Sequence, residues 1–143
     1  MNQQKQLQHL FASQKLSVLA TQSDGQPHGS LVAFAASQDL KCLVFATDRN
    51  TSKYRNIISS PRVAMLADNR SNKESDFKEA YAVTAKGAAR ELMETERNEW
   101  TQVYTLKHPN LEHFTRDPNV ALILIEVEVY LIAGFDSTTV FKP

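Results

Sequence analysis

The sequence predicts a mainly β, α+β domain, an antiparallel β-barrel with peripheral helices. Three observations lead there. About six segments of strand length and strand composition run along the 143 residues, and few of the connections between them are of the helical kind that parallel strands need. The composition is that of an ordinary globular protein, 42% hydrophobic and 22% charged. The length suits one domain over residues 1–143, able to bury a core without disulfide or metal support.

Taken in order, Leu7, Leu10 and Phe11 fall at helical spacing in a glutamine-rich opening segment, which predicts a short amphipathic helix lying as a lid. Leu16 to Gln22 reads as a strand, Asp24-Gly25 as the tip of a turn, and His28 to Ala36 as the returning strand of a hairpin. Cys42 to Thr47 is a third strand. Thr51 or Ser52 then caps a helix running to about Ser60, which Pro61 ends. Arg62 to Asp68 is a fourth strand, and the polar run Asn69 to Glu79 a loop without periodicity. "AYAVTAKGAARELM" returns as a fifth strand in which Gly87 marks a bulge or close backbone approach. Glu94 to Lys107 places Trp100, Val103 and Tyr104 on one helical face. A broken connector leads to the longest strand, Val120 to Ala133. It is wholly apolar in its first half, which should lie in the core, and then alternates, with Glu126 and Glu128 on one side.

Charge narrows the function. The 16 basic and 16 acidic side chains balance, which argues against a nucleic-acid partner, since such proteins carry a basic excess. The apolar run Val120–Ile125 is far too short to span a bilayer, so no membrane partner is expected. "MNQQKQLQHLFASQ" lacks the apolar core of a signal peptide, and the expected location is cytoplasmic. Cys42 is the only cysteine, which removes an intrachain disulfide, and it is expected to be a buried inert thiol. His28 reads as a turn residue. His108 and His113 lie at no firm metal spacing, so no metal site is expected, and Glu126 with Glu128 reads as a solvent or interface face rather than an acid and base couple. The same apolar strand, if one face is exposed, would gain by pairing with a symmetric copy, which predicts a homodimer.

"ATDRNTSKYRNI", Ala46 to Ile57, concentrates polarity where a strand hands over to a helix. Between Lys41 and Arg62 stand five cations, Lys41, Arg49, Lys53, Arg55 and Arg62, against the single anion Asp48. A helix start with hydroxyls and a lysine binds phosphate well, and Thr47, Thr51, Ser52 and Lys53 supply those groups. From the residues alone, an ordinary capped surface helix is the favoured reading.

The order of motifs from Leu16 to Asp68 resembles the FMN-binding split barrel of the pyridoxamine 5'-phosphate oxidase superfamily: a strand "LAT", a "DG.PH.S" turn and return strand, a strand ending "F.T", then "S.K..N" and "PRV". "AVTAKGAARE" and the closing strand match more loosely. The resemblance implies a six-stranded antiparallel split barrel. It implies FMN as cofactor, with the flavin phosphate at Thr51, Ser52 and Lys53 beside Thr47, and the isoalloxazine along Ser30, Leu31, Val32 and Ala33, mostly through backbone groups. Asn69 and Arg70 follow the fourth strand where the family approaches the flavin. The family's sites form at a two-fold interface, so a homodimer with flavin sites between subunits is implied, acting on a small-molecule substrate as an oxidoreductase. No catalytic residue is assigned. Leu31 and Ser52 stand where the oxidase pattern has arginines, and "YLIAGFDSTTVFKP" lacks its substrate-binding arginine and histidine, so oxidation of vitamin B6 is not expected. A deazaflavin or haem in the same barrel, or a non-catalytic flavin-binding module, are the alternatives.

Overall fold

A computed structural model describes residues 2–143. Helix α1 (Gln3–Ser13) comes first, and β1 (Leu16–Ser23) and β2 (Gln26–Ala36) then form the expected hairpin, with Leu16 paired to Ala33 and Ser23 to Gln26. Its tip holds Asp24 at φ 50° and Gly25 at φ 80°. A two-residue turn with left-handed backbone at both positions matches the strand twist, which is why Asp-Gly stands there. β3 (Cys42–Asp48), α2 (Ser52–Ser59) and β4 (Arg62–Asp68) follow, then α3 (Asp76–Glu79), β5 (Ala82–Glu91) and α4 (Glu94–Lys107). A 3-10 turn (Pro109–Leu111), α5 (Glu112–Arg116), β6 (Val120–Ala133) and β7 (Thr138–Phe141) complete the order.

All pairings are antiparallel. The order β3-β2-β1-β4-β5-β6 closes on itself because β6 also pairs with β3, giving the expected six-stranded barrel. β6 is long enough to serve three neighbours: Val120–Glu126 pairs with β3, Ile123–Ala133 with β5, and Tyr130–Ala133 passes to β7. At the β5 pairing the register shifts between Lys86 and Gly87, and a Cβ on Gly87 would stand 2.0 Å from the Glu126 carbonyl oxygen. The glycine is there because the backbones approach that closely.

The core is continuous, and α1 joins it through Leu7, Leu10 and Phe11. Phe11 meets the Phe34 ring edge-on at 5.4 Å. Lys107, at the end of α4, donates to the Phe11 and Gln14 carbonyls at 2.6 and 2.7 Å and so fastens the end of α1.

Three expectations need correction. Val120–Ile125 is not an exposed face awaiting a second copy: none of these residues is more than 2% exposed, because β3, β5 and the overlying α4 and α5 cover the strand on all sides. The run Asn69–Glu79 is not all loop, since α3 forms in it, and the connector after Lys107 contains α5. β7 was not foreseen; "TTVF" is too short to show a period and forms only because β6 offers it an edge.

Candidate functional site

α2 begins with Thr51 as its cap, whose hydroxyl accepts from Tyr54 N at 3.3 Å and donates to Asp48 O at 2.9 Å. Thr47 Oγ1 lies 3.2 Å from Thr51 Oγ1, so both hydroxyls stand at the helix start. The first two helical N–H groups, on Ser52 and Lys53, have no partner among the described residues. Lys53 and Arg55 also lack an ion pair among the described residues. Two free amides at the positive end of a helix, a hydroxyl and uncompensated cations are the donor set an anionic group needs.

The strand beside this turn has a free edge. β2 pairs with β1 along Gln26–Ala33 but with β3 only over Phe34–Ala36 against Phe45–Leu43. Continued, that register would set Val32 opposite Thr47, and there the ladder has ended. Along Ser30–Ala33 this edge of β2 therefore has no partner strand. Side chains contribute little: Val32 is buried, the buried Ser30 hydroxyl finds no hydrogen-bond partner, and only Leu31 projects outward, 67% exposed. A planar ligand with donors and acceptors on its rim suits such an edge.

Leu31 and Arg70 line a common cleft of about 240 Å³ with Leu16, Val18 and Leu66. The structure thus places Thr47, Thr51, Ser52 and Lys53 together at the start of α2, and brings Leu31 and Arg70 to one cleft. β3 and β4 are separated by β2 and β1, roughly 14 Å around the barrel at ~4.8 Å per step. One elongated ligand, or two copies of the chain, would be needed to engage both ends. Asn69 is otherwise employed: its Oδ1 accepts from Tyr81 N at 2.8 Å and closes the loop before β5.

A support for the turn escaped the sequence reading. Glu91, at the end of β5, accepts from Arg49 at 2.5 Å and from the Tyr54 hydroxyl at 2.6 Å, and Arg49 also donates to Pro118 O at 2.8 Å. Burial raises the Glu91 carboxyl, but the Arg49 and Tyr54 hydrogen bonds outweigh it and leave the group below the usual range. The same bond to Glu91, with burial, pushes the Tyr54 phenol up. Glu91 is 42 residues from Arg49, and only the excess of cations near residue 50 hinted that an anion would be needed.

The remaining candidates have structural roles or none. His108 is buried with Nε2 2.7 Å from Phe34 O, and His28 and His113 are exposed. Glu126 and Glu128 are exposed and pair with Arg90 and Arg62. Cys42 is half-buried and its thiol is raised by burial. No helix among the described residues is long and apolar enough to cross a membrane.

A family model described as pyridoxamine 5'-phosphate oxidase matches residues 3–132. A curated relative from Schizosaccharomyces pombe, described as a pyridoxamine 5'-phosphate oxidase homolog, is 33% identical over 93 residues, covering 57% of this chain and 49% of the relative. The chain therefore spans about half the length of that relative. Among solved structures, a heme binding protein from Mycobacterium smegmatis superposes with a TM-score of 0.85 at 14% identity, over 99% of this chain and 58% of that one. A FAD-binding protein from Mesorhizobium loti superposes with a TM-score of 0.70 at 16% identity, over 88% of each. At these identities the likeness to the solved structures is one of fold.

Proposed function

The chain belongs to the pyridoxamine 5'-phosphate oxidase family, and from that premise we propose that it binds FMN and serves as an oxidoreductase for a small molecule. The observation that carries the reading is the unpaired edge of β2 at Ser30–Ala33 together with the anion-ready start of α2, which follows β3, the strand from which β2 parts. The FAD-binding relative supports a flavin in this barrel. The presence of Leu31 and Ser52 where the oxidase pattern has arginines supports a substrate other than pyridoxamine phosphate.

A bound flavin would supply hydride or electron transfer. Within the proposal, the Ser52 and Lys53 amides, the Lys53 ammonium and the Ser52 hydroxyl hold the phosphate, and the Thr47 and Thr51 hydroxyls, both donating to Asp48 O, shape the turn behind them. Backbone groups of Ser30–Ala33 orient the ring, and the Leu31 side chain keeps water from one side of it. Arg70 supplies a cation near the far end, and Asn69 holds the loop that carries it. A second copy, seated on the outer face of β1, β2 and β4 where Leu16 and Leu31 are exposed, would complete each site.

The test compares two ligands. Hydrogen bonds to a charged group contribute roughly 1.5 to 3 kcal/mol each, so Lys53→Ala should weaken FMN about ten- to a hundredfold. Riboflavin, which lacks the phosphate, should bind as before. Flavin fluorescence titration reads both. Equal weakening of the two ligands, or none, overturns the phosphate assignment, and the visible spectrum of the purified protein tells a flavin from a deazaflavin or haem.

A further inference from the structure

We propose that a second cleft, across Arg70 from the β2 groove, takes a planar aromatic acid as the small-molecule substrate. The cleft, of about 260 Å³, shares Leu66, Asp68 and Arg70 with the groove that Leu31 lines, and is otherwise walled by Tyr81 and Phe135 over a floor of small residues. Its size is just below the roughly 300–1,000 Å³ of ordinary ligand pockets, which suits one or two fused rings and not a nucleotide.

Two features give it chemistry. Phe135 and Phe77 are 68% and 66% exposed, yet their rings meet edge-on at 5.6 Å. Single exposed apolar residues are common on protein surfaces, but two aromatic rings held in contact beside a cleft form a prepared face for a third. Arg70 is held by one edge only: its Nε and its own backbone N both donate to Asp68 Oδ1, at 2.9 and 3.0 Å. Both terminal nitrogens lack a partner among the described residues, and that fork is the geometry that grips a carboxylate.

The walls are built before any ligand arrives. Asp76 accepts from Ser71 N, Ser71 Oγ and Asn72 N at 2.7 to 3.0 Å, which ties the preceding loop to the start of α3, the helix that carries Phe77. Gly134 N donates to Ser137 O at 2.9 Å and fixes the turn presenting Phe135. Binding of the acid needs only these residues, whereas its role as substrate rests on the flavin reading above.

The experiment titrates the protein, with and without FMN, with 2-naphthoate, with 2-naphthol, which has the rings without the charge, and with cyclohexanecarboxylate, which has the charge without the aromatic rings. 2-Naphthoate should bind about tenfold or more tightly than either. Phe135→Ala should weaken both naphthalene ligands, and Arg70→Gln only 2-naphthoate, with circular dichroism confirming that each variant is folded. Equal binding of the three ligands, or 2-naphthoate affinity unchanged in both variants, overturns the inference. So does a Phe135→Ala protein that sediments as a smaller species while binding 2-naphthoate normally, since the aromatic pair would then be a subunit contact. A protein that binds FMN but not 2-naphthoate loses this inference alone, and one that binds 2-naphthoate but no flavin loses the flavin reading instead.

Discussion

Glu91 touches neither the free amides of α2 nor the edge of β2, yet it is the one carboxylate that draws Arg49 and Tyr54 together behind them. Its side chain is 13% exposed and that of Arg49 36%, so solvent screens part of the charge interaction. Glu91→Ala is expected to cost roughly 1–2 kcal/mol in urea unfolding, and to weaken FMN more than riboflavin because the phosphate turn loosens. His108 makes a different forecast. Burial lowers its pKa from the ordinary 6.5, against the bond to Phe34 O. The unfolded chain then binds the proton more readily, so its contribution to stability is complete above pH 6.5 and is lost as the pH falls through the folded value. The melting temperature should drop from pH 7 to 5.5, and His108→Gln should lessen the drop. The sequence showed a polar, cationic stretch at Thr47–Lys53 because its groups are consecutive. It could not show Glu91 or Phe34 O, whose partners lie 42 and 74 residues away.

Hairpins, caps and bulges follow local rules, and at this level the sequence was mostly readable. Of the two capping candidates the sequence offers, Thr51 and Ser52, Thr51 caps α2, and Thr51→Ala should cost about 1 kcal/mol in chemical unfolding. Gly87 was singled out as a close approach, and the β6 carbonyl confirms it. A methyl group cannot occupy a position 2.0 Å from backbone oxygen, so Gly87→Ala must displace β6 and should destabilise by about 3 kcal/mol or more; urea denaturation of near wild-type stability would contradict this. α3, α5 and β7 were missed because segments of four or five residues hold less than two turns or three side-chain alternations. Each forms where its neighbours supply the missing contacts: Asp76 organising the loop before α3, β6 offering its edge to β7.

At the level of the whole molecule, closure of the barrel by β3 and β6 removes the apolar run Val120–Ile125 from any interface and leaves the outer face of β1, β2 and β4 exposed instead. If a second copy completes the site, it docks there. Leu31→Asp should then yield a monomer in sedimentation velocity, with flavin affinity reduced, whereas a charge placed at exposed Leu106, remote on α4, should change neither. A wild-type protein that is monomeric at micromolar concentration with flavin bound would contradict the dimer. Premature parting of β2 and β3 is equally a property of the whole: one edge of β3 pairs with β6 along its full length, while the other meets β2 only over Leu43–Phe45, and β2 keeps a free edge.

What the sequence by itself determined is what alternation and turn chemistry encode: six strands, antiparallel order, a glycine at the tight approach and a donor-rich helix start after the third strand. Those features depend on residues a few positions apart, so their physics is present in any short window of the chain. Only the tertiary structure decided which strand lost its partner, which apolar face stayed exposed, and that Arg70, Tyr81 and Phe135 share one cleft. Each depends on segments far apart in the chain meeting as the barrel closes, β3 with β6 and β5 with β6 among them, and a contact between distant segments is settled by that packing, not by the composition of either segment.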